Sequence, residues 1–315
     1  MKKTFIYGTL ILALILLLTF TFIFLKTFSK ETLSSVLGLK KRYLILSGLF
    51  LFLYHTFDNI RLYILSRAVG LRYSLRYGYT MSFINTFGAT VTPAHAGGEL
   101  AAVYMLLRRG SSVHKVMSIV TMKTVSGIVF FIIALPFLVH QFISNPRLVK
   151  PVAEILAVVL IGTILLYTTI NYLLRKNAGK PSLRRLRETL KKYFYYLQIF
   201  GYKRKTYFLL ASLSSILLYL SFMMIAPSLA KAFGSDEPFF ELFKAQLGLL
   251  YAIFISPTPG GSGVGELGAL AVFSGFLEAH QIGAFVILWR LISQYASAAV
   301  GGVLFILYLL KDLRT

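Results

Sequence analysis

Long apolar runs separated by short basic stretches dominate this 315-residue chain. A helix needs about 20 apolar residues to cross a bilayer. Six runs reach that length, roughly 5–25, 43–65, 116–140, 152–174, 206–231 and 282–310, and each predicts a spanning helix. The first follows Met1-Lys2-Lys3 like a signal peptide, but no small-residue cleavage site follows it, so it reads as a retained first span. Two further apolar stretches, 78–108 and 239–276, are each broken in the middle by a Pro/Gly-rich segment. Their halves, at about 15 residues, are too short to span. Half-helices that meet at a glycine turn predict a re-entrant hairpin, because irregular backbone at that depth survives only against protein or a wet cavity.

The two broken stretches repeat a motif. The first runs Thr92-Pro93-Ala94-His95-Ala96-Gly97-Gly98-Glu99-Leu100, and the second Thr258-Pro259-Gly260-Gly261-Ser262-Gly263-Val264-Gly265-Glu266-Leu267. Each glutamate is followed 24 positions later by a base inside an apolar run, Lys123 after Glu99 and Arg290 after Glu266. An offset of 167 also aligns Ser126 with Ser293, while Thr92-Pro93 aligns with Thr258-Pro259 at 166, so one insertion at the tip reconciles the two. Three full spans separate the hairpins. That odd number makes them enter from opposite faces, as inverted repeats of about 78–140 and 239–310. The expected fold is therefore a single all-α integral membrane domain over 1–315, with six transmembrane helices and two re-entrant helical hairpins.

Charge orients it. The stretch 175–205 carries eleven Lys and Arg against the single acid Glu188, which predicts a cytoplasmic loop and places both termini on the cytoplasmic side. Loop 26–42, with Lys26, Lys30, Lys40, Lys41 and Arg42, must then be external against the same rule. Within 175–205, Leu183, Leu186, Leu190, Tyr193, Phe194 and Leu197 recur at helical spacing between basic residues, an amphipathic helix suited to anionic headgroups. Topology anchoring alone would also account for it.

Composition agrees. The chain is 57% hydrophobic with a net charge of +22, and its mean hydropathy is +0.74. A polytopic membrane protein of the cell membrane is expected, and the basic excess is read as loop charge contacting lipid, with no nucleic acid partner. Cysteine is absent, which excludes disulfides and thiolate chemistry. The five histidines show no metal-ligand spacing, and neither a Gly-x-Ser-x-Gly elbow nor a phosphate-binding Gly-Lys-Ser/Thr loop occurs, so no metal, no cofactor and no enzymatic activity are expected.

Candidate chemistry lies in the hairpins. Pro93, Gly97 and Gly98 at one tip, and Pro259, Gly260, Gly261, Gly263 and Gly265 at the other, allow tight turns whose bare amides approach a ligand. The half-helix after Gly263 would direct its N-terminus at a phosphate, with Ser262 adding a hydroxyl. Close helix packing is the alternative role for these glycines. A lone charge at mid-membrane costs at least about 2.5–3.5 kcal/mol, so Glu266, Arg290, Glu99 and Lys123 are expected to pair, within a repeat or across the two. Such pairs act either as structural clasps or as headgroup carriers, in which the base attracts phosphate and the acid releases it. Lys123 is the weaker clamp because it lacks the bidentate fork. His95 is a structural hydrogen-bonder or a pH-sensitive headgroup contact. In the second span Asp58 and Arg61 are three apart and can pair beside His55 and Asn59, near the cytoplasmic end where snorkelling is affordable, as a structural pair or part of a vestibule.

On Thr92-Pro93…Gly97-Gly98-Glu99, on Pro257-Thr258-Pro259-Gly260-Gly261…Gly263-Val264-Gly265-Glu266, and on Arg290, the chain resembles the lysylphosphatidylglycerol synthase transmembrane (flippase-like) family. It departs from that family at His95, Ala102 and Lys123, where arginines are usual. The resemblance implies a lipid-translocating protein in its stand-alone membrane form, because no synthase domain follows the last span. The leading expectation is a flippase for a phosphate-bearing lipid, a modified phospholipid or a polyprenyl-phosphate carrier. Its partners would be membrane lipids with anionic headgroups, and a homo-oligomer is compatible with it. The alternatives are an ion-coupled transporter of a small anionic solute and a membrane lipid-modifying enzyme or assembly partner.

Overall fold

Helices joined by short turns make up the whole of the described chain. The computed structural model describes residues 30–92, 94–143 and 181–314, with residue 21 besides, and no strand occurs among them. The expected span at 152–174, nearly all of that at 5–25, and Pro93 lie outside the described residues.

The elements in order are α1 (Lys30–Leu37), α2 (Lys41–Ala68), α3 (Leu75–Thr90), α4 (Ala96–Leu107), α5 (Val113–Ile143), α6 (Pro181–Gln198), α7 (Lys205–Ala232), α8 (Phe239–Ala245), α9 (Leu247–Ile255), α10 (Val264–Phe273), α11 (Ala279–Arg290) and α12 (Ala296–Arg314). A π-helical turn, Leu291–Tyr295, joins α11 to α12. Four helical stretches are long and apolar enough to cross a membrane, Lys41–Ala68, Val113–His140, Lys205–Ala232 and Ala279–Asp312. They coincide with four of the six expected spans. Pro136 inside α5 and Pro227 inside α7 leave the helices continuous. Four buried hydroxyls are satisfied within their own helices: Thr86, Thr90, Ser221 and Ser228 each donate to the carbonyl four residues earlier.

Both broken stretches form helix–turn–helix pairs. In the first, α3 packs along α4. Ser74 caps α3 by accepting from Tyr77 N at 3.3 Å. A methyl group on either Gly88 or Gly97 would strike the other's carbonyl, so the two helices cross backbone to backbone. In the second, α8 and α9 are followed by a glycine turn and α10.

The feet of the two pairs lie at opposite ends of the bundle. Beyond α4, Arg108 pairs with Asp312 near the end of α12. Tyr193, in α6, meets Thr121 of α5 at 2.9 Å, which gathers Arg108, Arg109 and the basic α6 at one end. The foot of α8 lies by the far end of α7, where the Lys231 ammonium stands 6.0 Å from the Phe239 ring. Residues 30–42, the described part of the basic stretch 26–42, sit at that same far end, since Lys40 N donates to Ala232 O at 3.0 Å and Thr32 to His280 O at 2.7 Å.

The tips meet in the interior. Gln294, in the π-turn, donates both to Thr90 Oγ1 at 3.0 Å and to the Gly260 carbonyl at 3.1 Å. Gly260 has φ +60° and lies so close to Thr90 that a side chain there would stand 3.0 Å from the Thr90 carbonyl oxygen. Glycine is required on both counts.

Candidate functional site

The two acid–base pairs form, and each forms within its own repeat. Arg290 Nε donates to Glu266 Oε1 at 2.8 Å, and neither side chain has any exposure. Lys123 Nζ reaches Glu99 Oε1 at 3.3 Å, with the glutamate side chain 40% exposed.

A one-residue shift in helix start separates the two environments. In the second hairpin Gly263 precedes α10, so Glu266 is its third residue. Its Oε2 reaches back to accept from Gly263 N at 2.6 Å. In the first, His95 precedes α4, so Glu99 is its fourth residue and faces a cavity instead. Ala94 and His95 hold φ of 51° and 58°, left-handed values costly for residues with a Cβ. This bend seats the His95 ring on Phe254 of α9, with ring centroids 5.3 Å apart. Thr92 closes the turn by accepting from Gly97 N at 2.7 Å.

The second hairpin is shut. Besides Glu266, Arg290 binds the Gly260 carbonyl at 3.0 Å and Tyr295 Oη at 3.1 Å, and Tyr295 also donates to Glu266. Gly265 leaves room for the guanidinium, whose Cζ would stand 2.9 Å from a Cβ there. Ser262 is fully buried, 3.4 Å from Tyr295 Oη. The N-terminus of α10, expected to seat a phosphate, is thus filled by the chain's own carboxylate. Gly260 presents a carbonyl rather than an amide to the guanidinium, and Gly261, with φ +66°, packs against Ile253. Arg290 is a closed clasp in this state and not an open headgroup receptor.

The open space belongs to the first hairpin. A cavity of about 330 Å³ is lined by Asp58 and Arg61 of α2, Asn85 of α3, His95, Gly98 and Glu99 at the first tip, and Lys123 and Gly127 of α5. Tyr54, Phe131, Tyr219 and Phe254 supply aromatic walls. The lining residues Lys123 to Phe131 of α5 and Leu218 of α7 place it near the middle of both helices. Its exposed rim is mixed: among the described residues, Ile128 lines it while remaining 48% exposed and Phe254 36%, beside exposed Thr124 and the part-exposed side chain of Glu99.

Asp58 and Arg61 pair as expected, at 2.5 Å. They do not snorkel, however. Both are buried, and Arg61 turns back along the helix because Asp58 is anchored by Ser82, which donates to Oδ2 at 2.7 Å. The network extends outward through His55, whose ring nitrogens contact Ser82 Oγ at 2.9 Å and Ser297 Oγ at 2.8 Å. Asn59 leaves this group and donates to the Leu75 carbonyl at 2.9 Å.

Sequence reasoning missed Asn85, Gly127, Tyr219, Phe254, Gln294 and Tyr295. Asn85 and Gln294 carried a signal, as uncharged polar residues inside apolar runs. The three aromatics and Gly127 are indistinguishable in sequence from ordinary lipid-facing or packing residues.

Apolar helices of spanning length around a cavity lined by paired charges define a multi-pass membrane protein with a polar site in its interior. The chain belongs to the family described as the lysylphosphatidylglycerol synthase TM region, whose model matches residues 5–301. It is also 28% identical over 268 residues to a UPF0104 membrane protein of Archaeoglobus fulgidus, a match that covers 78% of this chain and 80% of that one. The resemblance read from the two hairpin motifs is confirmed.

Proposed function

We propose that this protein is a flippase, which moves a phosphate-bearing lipid between leaflets and binds the headgroup in the cavity of the first hairpin. The observation that carries this reading is a charged cavity near the middle of α5 and α7 with exposed apolar side chains, Ile128 and Phe254, at its rim. A lipid needs both features, a polar seat for its headgroup and continuous hydrocarbon for its tails. A small anionic solute would need no hydrocarbon at the entrance, where Ile128 and Phe254 stand beside Thr124 and Glu99. Lys123 and Arg61 supply the donors for phosphate.

In this reading the hairpins are re-entrant and enter from opposite faces as inverted repeats, with both termini cytoplasmic in the cell membrane. The contact between Gly260 and Thr90 supports it, because hairpins footed at opposite ends meet in the middle only if each turns back there. The second repeat is the closed counterpart. Glu266 holds the place a phosphate would take at Arg290, so opening that side requires the headgroup or a proton to displace the carboxylate. The action is transport without chemical change to the lipid.

Purified protein in liposomes with leaflet-sensitive fluorescent phospholipids and a polyprenyl phosphate, with and without a pH gradient, tests the reading. Movement of at least one lipid is expected, reduced in Lys123→Ala and kept in Lys123→Arg. Folded protein that moves none of them would overturn it.

A further inference from the structure

The cavity is not an anion well. Its charged side chains balance, Asp58 and Glu99 against Arg61 and Lys123, and each base already faces an acid, at 2.5 Å and 3.3 Å. A phosphate monoester alone would bring uncompensated negative charge into a poorly solvated site of zero net charge. A headgroup of net positive charge would err the other way.

The unmet hydrogen-bonding capacity is mixed in sign. Glu99 Oε2 is buried and has no donor. Arg61 Nε is buried and has no acceptor. Asn85 is 5% exposed, and neither its amide oxygen nor its amide nitrogen has a partner. His95 Nδ1 is likewise unpartnered. All four residues line the one cavity. A buried carboxylate oxygen calls for a cationic donor, and a buried guanidinium N–H for an anionic acceptor. The rings of Phe131, Tyr219 and Phe254 pack edge to face, with centroids 5.0, 5.2 and 5.6 Å apart, as one apolar wall of the same space.

Building on the lipid-transport reading above, we infer that the cavity selects a zwitterionic headgroup, one that carries a phosphate and an ammonium with no net charge. The phosphate oxygens meet Arg61 Nε, Lys123 and the Asn85 amide, and the ammonium meets Glu99 Oε2. Anionic phosphatidylglycerol, polyprenyl phosphate and cationic aminoacylated phosphatidylglycerol are then the poorer cargoes, although all contain phosphate.

The test uses the intact protein in vesicles that carry trace acyl-chain-labelled phosphatidylethanolamine, phosphatidylglycerol or lysyl-phosphatidylglycerol, their headgroups left native, with transbilayer movement read by quenching of the outer leaflet. An unlabelled polyprenyl phosphate competes in parallel. Phosphatidylethanolamine is expected to move at least tenfold faster than either charged lipid, with polyprenyl phosphate a poor competitor. Glu99→Gln, which gives the cavity net positive charge, should shift preference to phosphatidylglycerol. Asn85→Asp, which gives it net negative charge, should shift preference to the lysyl lipid. Opposite shifts in two variants are not what a merely structural role for either residue produces. Faster movement of a charged lipid by the unmodified protein, or an unchanged order of preference in both folded variants, overturns the zwitterion assignment and leaves lipid transport standing. If no lipid moves, both readings fall.

Discussion

Nε of Arg290 lies 2.8 Å from Oε1 of Glu266 with both side chains wholly buried, while at the matching place in the first repeat Lys123 stands 3.3 Å from a glutamate that borders open space. The repeats thus carry the same pair in two states. One is closed over its own carboxylate, with Arg290 Nη1 left without an acceptor, and the other keeps Glu99 Oε2 unfilled beside a cavity.

The closed pair makes a stability prediction. Removing one partner strands a buried charge, which costs about 3–5 kcal/mol. Glu266→Ala and Arg290→Ala should therefore each lower the melting temperature in detergent by roughly 10 °C. The double substitution Glu266→Gln with Arg290→Gln should recover much of the loss. Single variants that melt like the parent would show that the clasp is not closed in the folded protein. Loss of transport in the single variants cannot then be read as a headgroup effect without the double variant as control.

Gly127 predicts a way to block the site without touching its charges. A Cβ there would stand 3.3 Å from Tyr219 Oη and 3.5 Å from Arg61 Nη1, so a longer side chain must grow into the cavity. Gly127→Leu should cut lipid movement more than tenfold while costing about 1–3 kcal/mol of stability, the usual range for overpacking. Normal transport by this variant would place the route elsewhere.

Lys123 separates charge from shape. Lys123→Ala leaves Glu99 without its ammonium and should lower transport at least tenfold. Lys123→Arg keeps the charge, adds a bidentate fork and should hold transport within about threefold of the parent. Rates that fall equally in both would mean that the length of the side chain, rather than its charge, is what the site requires.

The meeting of the hairpin tips is testable by cross-linking, and the chain is already free of cysteine. Thr90 Oγ1 and Gln294 Nε2 are 3.0 Å apart. Thr90→Cys with Gln294→Cys should be bridged by a short bis-maleimide, detected as a band shift after a protease site is placed between α6 and α7. Neither single variant should give it. Failure of the pair to cross-link with the reagent would separate the first tip from the π-turn that holds the Gly260 carbonyl.

The hairpins were legible because a membrane forbids most of what they contain. Pro/Gly clusters and isolated charges inside apolar runs are costly in hydrocarbon, so their presence at matched spacing signals a duplicated polar site. The placement of Asp58 and Arg61 was read less well. A charge three residues from its partner on one helix looks the same whether it snorkels to a surface or turns inward. Only the hydroxyl of Ser82, 24 positions away, decides the direction here.

By itself the sequence determined the helical, membrane-embedded class, four spans now seen among the described residues, the two broken helix pairs and that their buried charges pair, while pairing within each repeat was decided by the structure. These follow from local rules, the length of apolar runs and the cost of an unpaired charge, which act along the chain. The tertiary structure alone decided which pair closes and which borders a cavity. That outcome depends on a one-residue difference in where α4 and α10 begin, and on side chains brought in from other helices. Gln294 and Tyr295 fill the second site, whereas the corresponding Gly127 and Ile128 leave the first one open. Packing between distant segments has no period or motif in the chain, so the asymmetry between two nearly matching repeats becomes visible only when they are folded against each other.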